Sequence, residues 1–417
     1  MCGLTYSVLL IPPQDYLRHP HPTRLHHIFE NFDDSFRVTV LNIRLRKGSR
    51  KRESKHEVIE LGCGRDGMLG SYLMAYGDFH LQLVRLIKER NYDCVVLSHI
   101  ISPLVPLLVR GRPLVFDYKD VYSESASVPF QFPVRQVVYW AARFFEELLF
   151  RSHMTVVVPS PSIHAVLRSR YGLDSYVITN GVNMEFFRPL TLQESTATRT
   201  KFGVHRDDFL IVYLGSIESW IDLEPVLAAL QSFPRGRLIL VGGPVRSAEY
   251  MEDVLSLCKR KGLANRVTAT GFQSQFEAGK IVSASDAAIL PFRTDTRLSL
   301  LALPDKLFEY LAAGVPVVST RLPDVARMFG NWVRFYDDAE DLLVIFRTLM
   351  ETRGEHIDQA GGPFMRNYDW RVLSQRYQQL LRILIENRGG QLHHAELWPT
   401  RVSKSLLGID NPRPYGR

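Results

Sequence analysis

The segment from Leu303 to Thr320 combines two charged side chains with signals for a helix and a following strand. Lys306 and Glu309 are three residues apart, so a helix places them side by side. A lysine in the first turn of a helix opposes the helix dipole unless an anion is bound there, and helix N-termini favour anions. The spacing predicts an anion site, with a solvated Lys–Glu pair as the alternative.

Glycines and polar residues follow the apolar runs of the second half of the chain. The runs are 209–216, 237–243, 266–271, 287–292 and 315–320, and helical patterns separate them. Because parallel strands gather their carboxyl ends at one edge of a sheet, these residues are expected to converge. They predict a nucleotide-sized cleft lined by Gly215, Ser216, Gly243, Gly271, Phe272, Arg293, Lys306, Leu307 and Glu309.

Titratable residues follow two apolar runs of the first half. His99 ends the run 93–99, and Asp117, Lys119 and Asp120 end the run 113–118. An imidazole or carboxylate at a strand end is a candidate acid or base, although a lone one is as often structural. The predicted catalytic residues are His99, Asp120 and the adjacent Lys119. Asn180–Gly181 follows the run 174–180 and predicts a turn at a hinge or cleft.

These residues need two sheets to position them. The first half adds the runs 6–12, 36–43 and 154–160, and apolar runs alternating with helices predict parallel α/β sheets. At 417 residues, two domains are expected. We place them at 1–187 and 200–370 around a polar joint at 187–200. A closing helix at 371–388 and a weakly ordered tail at 389–417 follow.

The helix that carries Lys306 and Glu309 has predicted ends. Pro304 is expected at its first helical position, and Gly314 is expected to stop it.

The composition of the chain indicates which kinds of molecule it could bind and where it could be located. A net charge of +7 and a pI near 9.2 favour anionic partners such as nucleotide phosphates or a membrane surface. Cys2, Cys63, Cys94 and Cys258 lack paired spacing, so no zinc site or disulfide framework is predicted. No apolar run is long enough to span a membrane, and no signal peptide is apparent. We therefore expect a cytoplasmic protein, with peripheral contact at the inner face of the membrane as a further option.

Four segments of the sequence allow more than one interpretation. The aromatic segment 128–150 is interpreted as a helix covering a sheet, with an interfacial membrane helix as the alternative. The charged run 44–57 is interpreted as a solvated loop rather than a nucleic-acid site. The glycine-rich 58–67 resembles a methyltransferase motif but follows two strands instead of ending the first. His19, His21, His26 and His27 lack a completing carboxylate or cysteine for a metal.

In their order along residues 90–380, these motifs resemble the GT-B glycosyltransferases of the large retaining family four. The matching segments are PLVFDYKD, VVVPSPSIHAVL, VITNGVNMEFFRP, IVYLGSIESWIDLEPVLAAL, LILVGGP, VTATGF, SASDAAILPF and PDKLFEYLAAGVPVVST. The resemblance implies two facing Rossmann-like domains. The C-terminal domain would bind a nucleotide-sugar as substrate, without metal or cofactor.

The resemblance also implies residue roles. Glu309 matches the glutamate that binds the nucleotide ribose, Gly215 and Ser216 match the diphosphate loop, and Gly271–Phe272 match the backbone at the base. Leu301 stands where the family has the first glutamate of its Glu-x7-Glu motif. The family's diphosphate-binding Arg and Lys are missing from residues 216–225, so Lys306, with Arg293, is the expected substitute.

The expected reaction is transfer of a sugar to a glycan, a lipid-linked or another acceptor. Lys306, backbone N–H groups and the helix dipole would stabilise the leaving diphosphate. The acceptor would bind the N-terminal domain in loops after Pro12 and around His99 and Ser123. The resemblance implies retention of the anomeric configuration. Lys119, with Asp120 beside it, stands in place of a family histidine, so the stereochemistry stays open, and Asp117 or Asp120 could serve as a base for inversion. The alternatives are a non-catalytic GT-B scaffold and, with less support, a methyltransferase.

Overall fold

The computed structural model describes residues 5–19, 21–44, 51–62, 68–100, 104–128, 130–245, 248–353 and 362–387. Cys2, Cys63 and the tail at 389–417 lie outside these residues, as do parts of the charged run 44–57 and of the glycine-rich 58–67. The chain divides into two compact units: the first runs to Thr179 and resumes at Trp370, and the second is Asn180–Asp369.

The first unit contains a parallel sheet in the order β3-β2-β1-β4-β5-β6-β7. Apolar side chains fill both faces of its central strands, as expected for a parallel sheet covered by helices on both sides. Its strands in the described residues are β1 (Tyr6–Ile11), β2 (Phe36–Ile43), β3 (Glu57–Leu61), β4 (Cys94–Leu97), β5 (Leu114–Asp117), β6 (Thr155–Val158) and β7 (Tyr176–Val177).

The second unit contains a parallel sheet in the order β10-β9-β8-β11-β12-β13. The order reverses between β8 and β11, which is where open α/β sheets bind their ligands. Its strands in the described residues are β8 (Phe209–Leu214), β9 (Gly236–Val241), β10 (Val267–Gly271), β11 (Ala287–Leu290), β12 (Val317–Ser319) and β13 (Val333–Phe335).

Helices connect and cover these strands. In the first unit they are α1 (Arg24–Glu30), α2 (Met68–Glu89), α3 (Val105–Leu108), α4 (Tyr122–Ser127), α5 (Val134–Phe150), α6 (Pro161–Tyr171) and α15 (Trp370–Glu386). In the second unit they are α7 (Leu192–Lys201), α8 (Glu224–Gln231), α9 (Glu249–Arg260), α10 (Gln275–Ser283), α11 (Arg297–Leu300), α12 (Asp305–Ala312), α13 (Pro323–Phe329), α14 (Ala339–Glu351) and a 3-10 helix (Pro363–Tyr368).

The predicted α/β class with parallel sheets in both halves is confirmed. Each apolar run identified in the sequence contains a strand, whereas β3 and β13 were not predicted. β3 has glutamates at its first and fourth positions and lies at the sheet edge, and β13 is three residues long. Neither therefore shows the continuous apolar run of a buried strand.

The division between the units does not lie at 187–200. It falls at Asn180, which is the start of the predicted Asn–Gly turn. Residues 192–201 form α7 within the second unit, and Thr191 and Glu194 cap its start reciprocally. The segment is polar because α7 is largely exposed, and a polar helix without an apolar stripe resembles a linker in sequence.

The predicted closing helix is α15, and it belongs to the first unit. Its apolar face joins the core of that unit through Leu373, Tyr377 and Leu381. Trp370 stacks on His27 with ring centroids 4.9 Å apart, and Arg382 pairs with Asp33 at 2.7 Å. The chain thus leaves the first unit at Thr179 and completes it with its final described helix.

Helix α5 packs through one face, as expected of a helix that covers a sheet. Ala142, Glu146, Leu149 and Phe150 are buried, and the ring of Phe150 lies 5.3 Å from that of Tyr118. The opposite face is also apolar but exposed, which the core-helix interpretation did not predict. No helix among the described residues is long and apolar enough to cross a membrane.

Candidate functional site

A close approach between Gly215 and Lys306 forms the centre of the candidate site in the second unit. Gly215 follows β8 with φ of 126°, a conformation that side chains disfavour. A Cβ atom at this position would lie 2.8 Å from Cε and 3.0 Å from Nζ of Lys306. The glycine therefore makes room for the lysine, and both belong to the predicted donor site.

The ammonium group of Lys306 lies between two aromatic rings. Nζ is 5.0 Å from the ring centroid of Tyr213 and 5.1 Å from that of Phe292, and it donates to the Tyr213 hydroxyl at 3.3 Å. Burial lowers the pKa of Lys306 to about 8, against the opposing effect of Asp305 and Glu309. A partly buried ammonium group held in this way is a candidate partner for an anion.

The loops that follow β8, β9 and β10 are joined by main-chain hydrogen bonds. Gly242 N–H donates to the Gly271 carbonyl at 2.9 Å, and Ile217 N–H donates to the Gly243 carbonyl at 3.1 Å. A Cβ at Gly242 would lie 2.1 Å from the Gly215 carbonyl oxygen, so the two loops can touch because Gly242 lacks a side chain. The structure thus brings Gly215, Ser216, Gly243 and Gly271 together, as predicted.

Two main-chain donors in these loops are unused within the described chain. No hydrogen bond between described residues involves the N–H group of Ser216 or of Gly243. The Ser216 carbonyl, by contrast, accepts from the Tyr213 hydroxyl at 2.7 Å, which fixes the orientation of the loop. Free N–H groups beside a lysine are the elements of an anion-binding loop.

Helix α12 carries the two charged residues first identified. Pro304 is its N-cap, so the helix begins one residue later than predicted, and Gly314 follows with φ of 75° as the predicted stop. Burial and the nearby Asp305 raise the pKa of Glu309 to about 8, against the lowering effect of Lys306. At pH 7 the Glu309 carboxyl is therefore mainly protonated, and it can donate a hydrogen bond as well as accept one.

The remaining donor-site candidates have different environments. The guanidinium Nε of Arg293 donates to the Ser219 carbonyl at 3.0 Å, which ties Arg293 to the loop after β8. Phe272 is 42% exposed and packs beside Gly243. Leu307 is fully buried in the core, and its N–H donates to the Pro304 carbonyl at 3.1 Å. The placement of Leu307 is that of a core residue, not of a ligand contact.

The strand-end candidates of the first unit do not form one exposed group. His99 is buried, and burial together with His80 lowers its pKa to about 4, so its imidazole is neutral at pH 7. Lys119 and Asp120 are partly exposed, with Nζ and Oδ2 3.8 Å apart. Ser123, expected near the acceptor, is buried, and its N–H donates to Glu146 at 3.0 Å.

Asp117 is engaged in a buried ion pair. Its carboxylate lies 3.4 Å from Nε of Arg24, whose guanidinium also donates to the Thr179 carbonyl at 2.6 Å. Burial raises the pKa of Asp117, and Arg24 opposes that rise. Arg24 thus connects β5 to Thr179, where the chain leaves the first unit, a role that its sequence position did not reveal.

Sequence reasoning also missed the role of Tyr213 and the hydrogen bond that the Asn180 side chain makes. Tyr213 is an internal residue of an apolar strand, and nothing in its local sequence shows that its hydroxyl reaches Lys306. Asn180 Nδ2 donates to the Leu303 carbonyl at 3.1 Å, which links the start of the second unit to the segment before α12. Among the described residues, no group of His, Cys, Asp and Glu is arranged to hold a metal ion.

Two family models match the chain. The model of Glycosyltransferase Family 4 matches residues 23–186, and that of Glycosyl transferases group 1 matches residues 208–350. The first match lies in the first unit except for its last residues, and the second lies entirely within the second unit.

Curated relatives share part of the chain. A D-inositol 3-phosphate glycosyltransferase of Mycobacterium marinum is 31% identical over 144 residues, which are 34% of this chain and 29% of that protein. The enzyme of that name from Mycobacterium tuberculosis is 27% identical over 257 residues, 57% of this chain and 49% of that protein. The matches therefore span half or less of the length of these relatives.

Solved structures share the fold along most of the chain. A sucrose-phosphate synthase from Thermosynechococcus elongatus aligns with a TM-score of 0.70 at 18% identity, covering 92% of this chain and 100% of that one. The HepE protein of Anabaena, solved in complex with UDP-glucose, aligns with a TM-score of 0.69 at 16% identity, covering 91% and 100%. These similarities show the fold.

Proposed function

Since the chain is a GT-B glycosyltransferase in family and fold, we propose that it transfers a sugar from a nucleoside diphosphate donor to a hydroxyl group of an acceptor. The donor binds the second unit, where the loops after β8, β9 and β10 meet α12. The acceptor is a glycan or a lipid-linked molecule and binds the first unit. No cofactor or metal takes part in the proposed reaction.

The observation that carries the proposal is the position of Lys306 beside Gly215. Its ammonium group, the N–H groups of Ser216 and Gly243 and the N-terminal end of α12 are contributed by elements that meet after the strand ends. A leaving nucleoside diphosphate carries the negative charge that such a set of donors stabilises. Gly215 leaves room for the lysine, and the Tyr213 hydroxyl and the rings of Tyr213 and Phe292 hold its ammonium group there.

Glu309 supports recognition of the nucleotide. A carboxyl group that is protonated near pH 7 can donate to one ribose oxygen and accept from a neighbouring hydroxyl. The HepE structures contain UDP, UDP with glucose, and UDP-glucose, so a uridine nucleotide is the first donor to test. Phe272 and the Gly271 backbone are proposed at the base.

We propose retention of the anomeric configuration. Inversion requires an accessible carboxylate that removes a proton from the acceptor. Asp117 is unsuited to that role because it is buried against Arg24. Asp120 is partly exposed beside Lys119 and remains the candidate base to exclude by its Asp120→Asn variant.

The test is calorimetric titration of the protein with UDP, GDP, ADP and their sugar conjugates. Lys306→Ala is compared with Lys201→Ala, which removes an exposed lysine of the same unit. We expect one nucleotide to bind the wild type and the Lys201 variant, and Lys306→Ala to bind it at least about tenfold more weakly.

The outcomes separate the alternatives. Nucleotide binding without sugar transfer to a panel of glycan and lipid-linked acceptors would favour a non-catalytic scaffold. We consider the scaffold because Leu301 replaces the first glutamate of the family motif. Binding of S-adenosylmethionine instead would favour the methyltransferase, although β3, which precedes its motif, is an edge strand. Nucleotide binding that is unchanged in Lys306→Ala would overturn the diphosphate role of Lys306. Nuclear magnetic resonance of the first product formed decides between retention and inversion.

A further inference from the structure

Helix α5 has two apolar faces, of which only one is buried. The buried face, through Ala142, Leu149 and Phe150, packs on the first unit. The opposite face follows the helical spacing of three and four residues and is exposed. It comprises Val134, Val137, Trp140, Phe144, Phe145 and Leu148, and we call it the α5 outer face.

The exposure of the α5 outer face is large for these residue types. Val137 is 67% exposed, and Trp140 and Phe144 are each 61% exposed. Phe132, just before the helix, is 78% exposed. Single exposed apolar residues are ordinary on a protein surface, but a contiguous aromatic stripe marks a binding surface.

The charges beside the α5 outer face are mainly positive. Arg135 and Arg151 are exposed near the two ends of the helix, and neither forms an ion pair within the described residues. Arg143 lies over the Trp140 ring at 5.5 Å and pairs with Glu147 at 3.2 Å. Of the two glutamates of α5, Glu146 is buried, and Glu147, on the exposed side, is thus already paired with an arginine.

We propose that the α5 outer face is a docking surface for an anionic lipid membrane, on which α5 lies parallel to the bilayer plane. Tryptophan and phenylalanine favour the boundary between headgroups and acyl chains, and arginines at the edges favour anionic headgroups. A second copy of this chain would instead place one arginine-edged face against another, with no free carboxylate to pair with them. The proposal does not depend on the transferase reaction, because none of these residues belongs to the proposed donor site.

The test is sedimentation of the protein with vesicles of phosphatidylcholine, with and without phosphatidylglycerol. We expect binding to the mixed vesicles, and at least about a tenfold loss in the double variant Trp140→Ser/Phe144→Ser. Leu81→Ser/Val344→Ser is the matched control, because it also removes two exposed apolar side chains and should bind like the wild type. Arg135→Gln/Arg151→Gln should lower binding to the mixed vesicles and lose the preference for phosphatidylglycerol.

Two further readouts make the test specific. Brominated lipid should quench Trp140 fluorescence in the wild type, and Trp140→Phe should lose that component of quenching while still binding vesicles. UDP affinity and the melting temperature of each variant, measured without lipid, verify that the fold and the donor site are intact. Vesicle binding that is equal in wild type and Trp140→Ser/Phe144→Ser would overturn the proposal. So would a dimer, detected by light scattering, that the same variant dissociates while lipid does not bind.

Discussion

Gly215 and Lys306 are 91 residues apart in sequence, yet a methyl group added to the glycine would lie 2.8 Å from Cε of the lysine. The relationship connects the loop after β8 to the start of α12. A bound anion, as proposed, would account for a lysine in the first turn of a helix, where the dipole disfavours a cation. The two rings that flank its ammonium group hold the charge beside the loop donors.

Gly215→Ala should displace Lys306 and strain the loop. We expect UDP affinity to fall at least about tenfold and stability to fall by about 1 to 3 kcal/mol, since the added methyl group both clashes and disfavours the positive φ. Calorimetry and urea denaturation measure the two effects. Gly262→Ala is the matched control, because Gly262 has φ of 69° but open space around its Cα. It should lose stability and keep its UDP affinity.

UDP binding should weaken as the pH rises through about 8. The pKa of Lys306 is lowered to about 8 by burial, so the cation that attracts the diphosphate is lost above that pH. Titrations between about pH 7 and about pH 9.5 measure the slope. Lys306→Arg, which keeps its charge in this range, should show a flatter profile.

Glu309 also titrates near pH 8, so a second variant is needed to show which of the two groups causes the pH dependence of UDP binding. In Glu309→Gln the carboxyl can no longer ionise, and the decline in UDP affinity should persist through Lys306. A profile that becomes flat in Glu309→Gln, and stays steep in Lys306→Arg, would assign the pH dependence to Glu309 instead.

Glu309→Gln should stabilise the protein relative to wild type at alkaline pH. The pKa of Glu309 is raised from 4.5 to about 8, so the folded state binds more protons than the unfolded state between those values. Ionisation of the Glu309 carboxyl therefore lowers the free energy of unfolding of the wild type as the pH rises through this range. Glutamine cannot ionise, so the variant is not destabilised in this way. The difference should widen from about pH 4.5 and level off above about pH 8, at about 1 to 3 kcal/mol after allowance for partial exposure.

Urea denaturation at a series of pH values measures this difference. Glu351→Gln, at an exposed position on α14, is the control for removing a carboxylate from the same unit. A difference between wild type and Glu309→Gln that stays constant across the series would contradict the raised pKa.

Glu146→Leu should unfold the first unit far more readily than wild type. The Glu146 carboxylate accepts from the Tyr118 hydroxyl at 2.5 Å, the Tyr171 hydroxyl at 3.0 Å and the Ser123 N–H at 3.0 Å. Leucine would leave three donors without an acceptor in a buried site, which costs about 3 to 5 kcal/mol. Glu147→Leu, which breaks only a surface pair with Arg143, should change stability by about 1 kcal/mol or less, as thermal denaturation would show.

The sequence by itself determined the α/β class and the alternation that builds two parallel sheets, and it led to the glycines and charges of the proposed donor site. It could do so because buried parallel strands are continuous apolar runs, and because their carboxyl ends share one edge of a sheet. The Lys306 hypothesis came from a local rule, the conflict of a cation with a helix dipole, and therefore needed no tertiary information.

Only the tertiary structure decided which surfaces are covered and which distant groups meet. Polar α7 looked like a linker because its exposed position requires no apolar stripe, and α15 could not be assigned to the first unit from its own pattern. Asp117 and His99 looked like accessible strand-end residues, but Arg24 and the surrounding core bury them. Helix α5 shows the same limit: its apolar residues are equally visible in the sequence, and only packing reveals which half of them remains exposed.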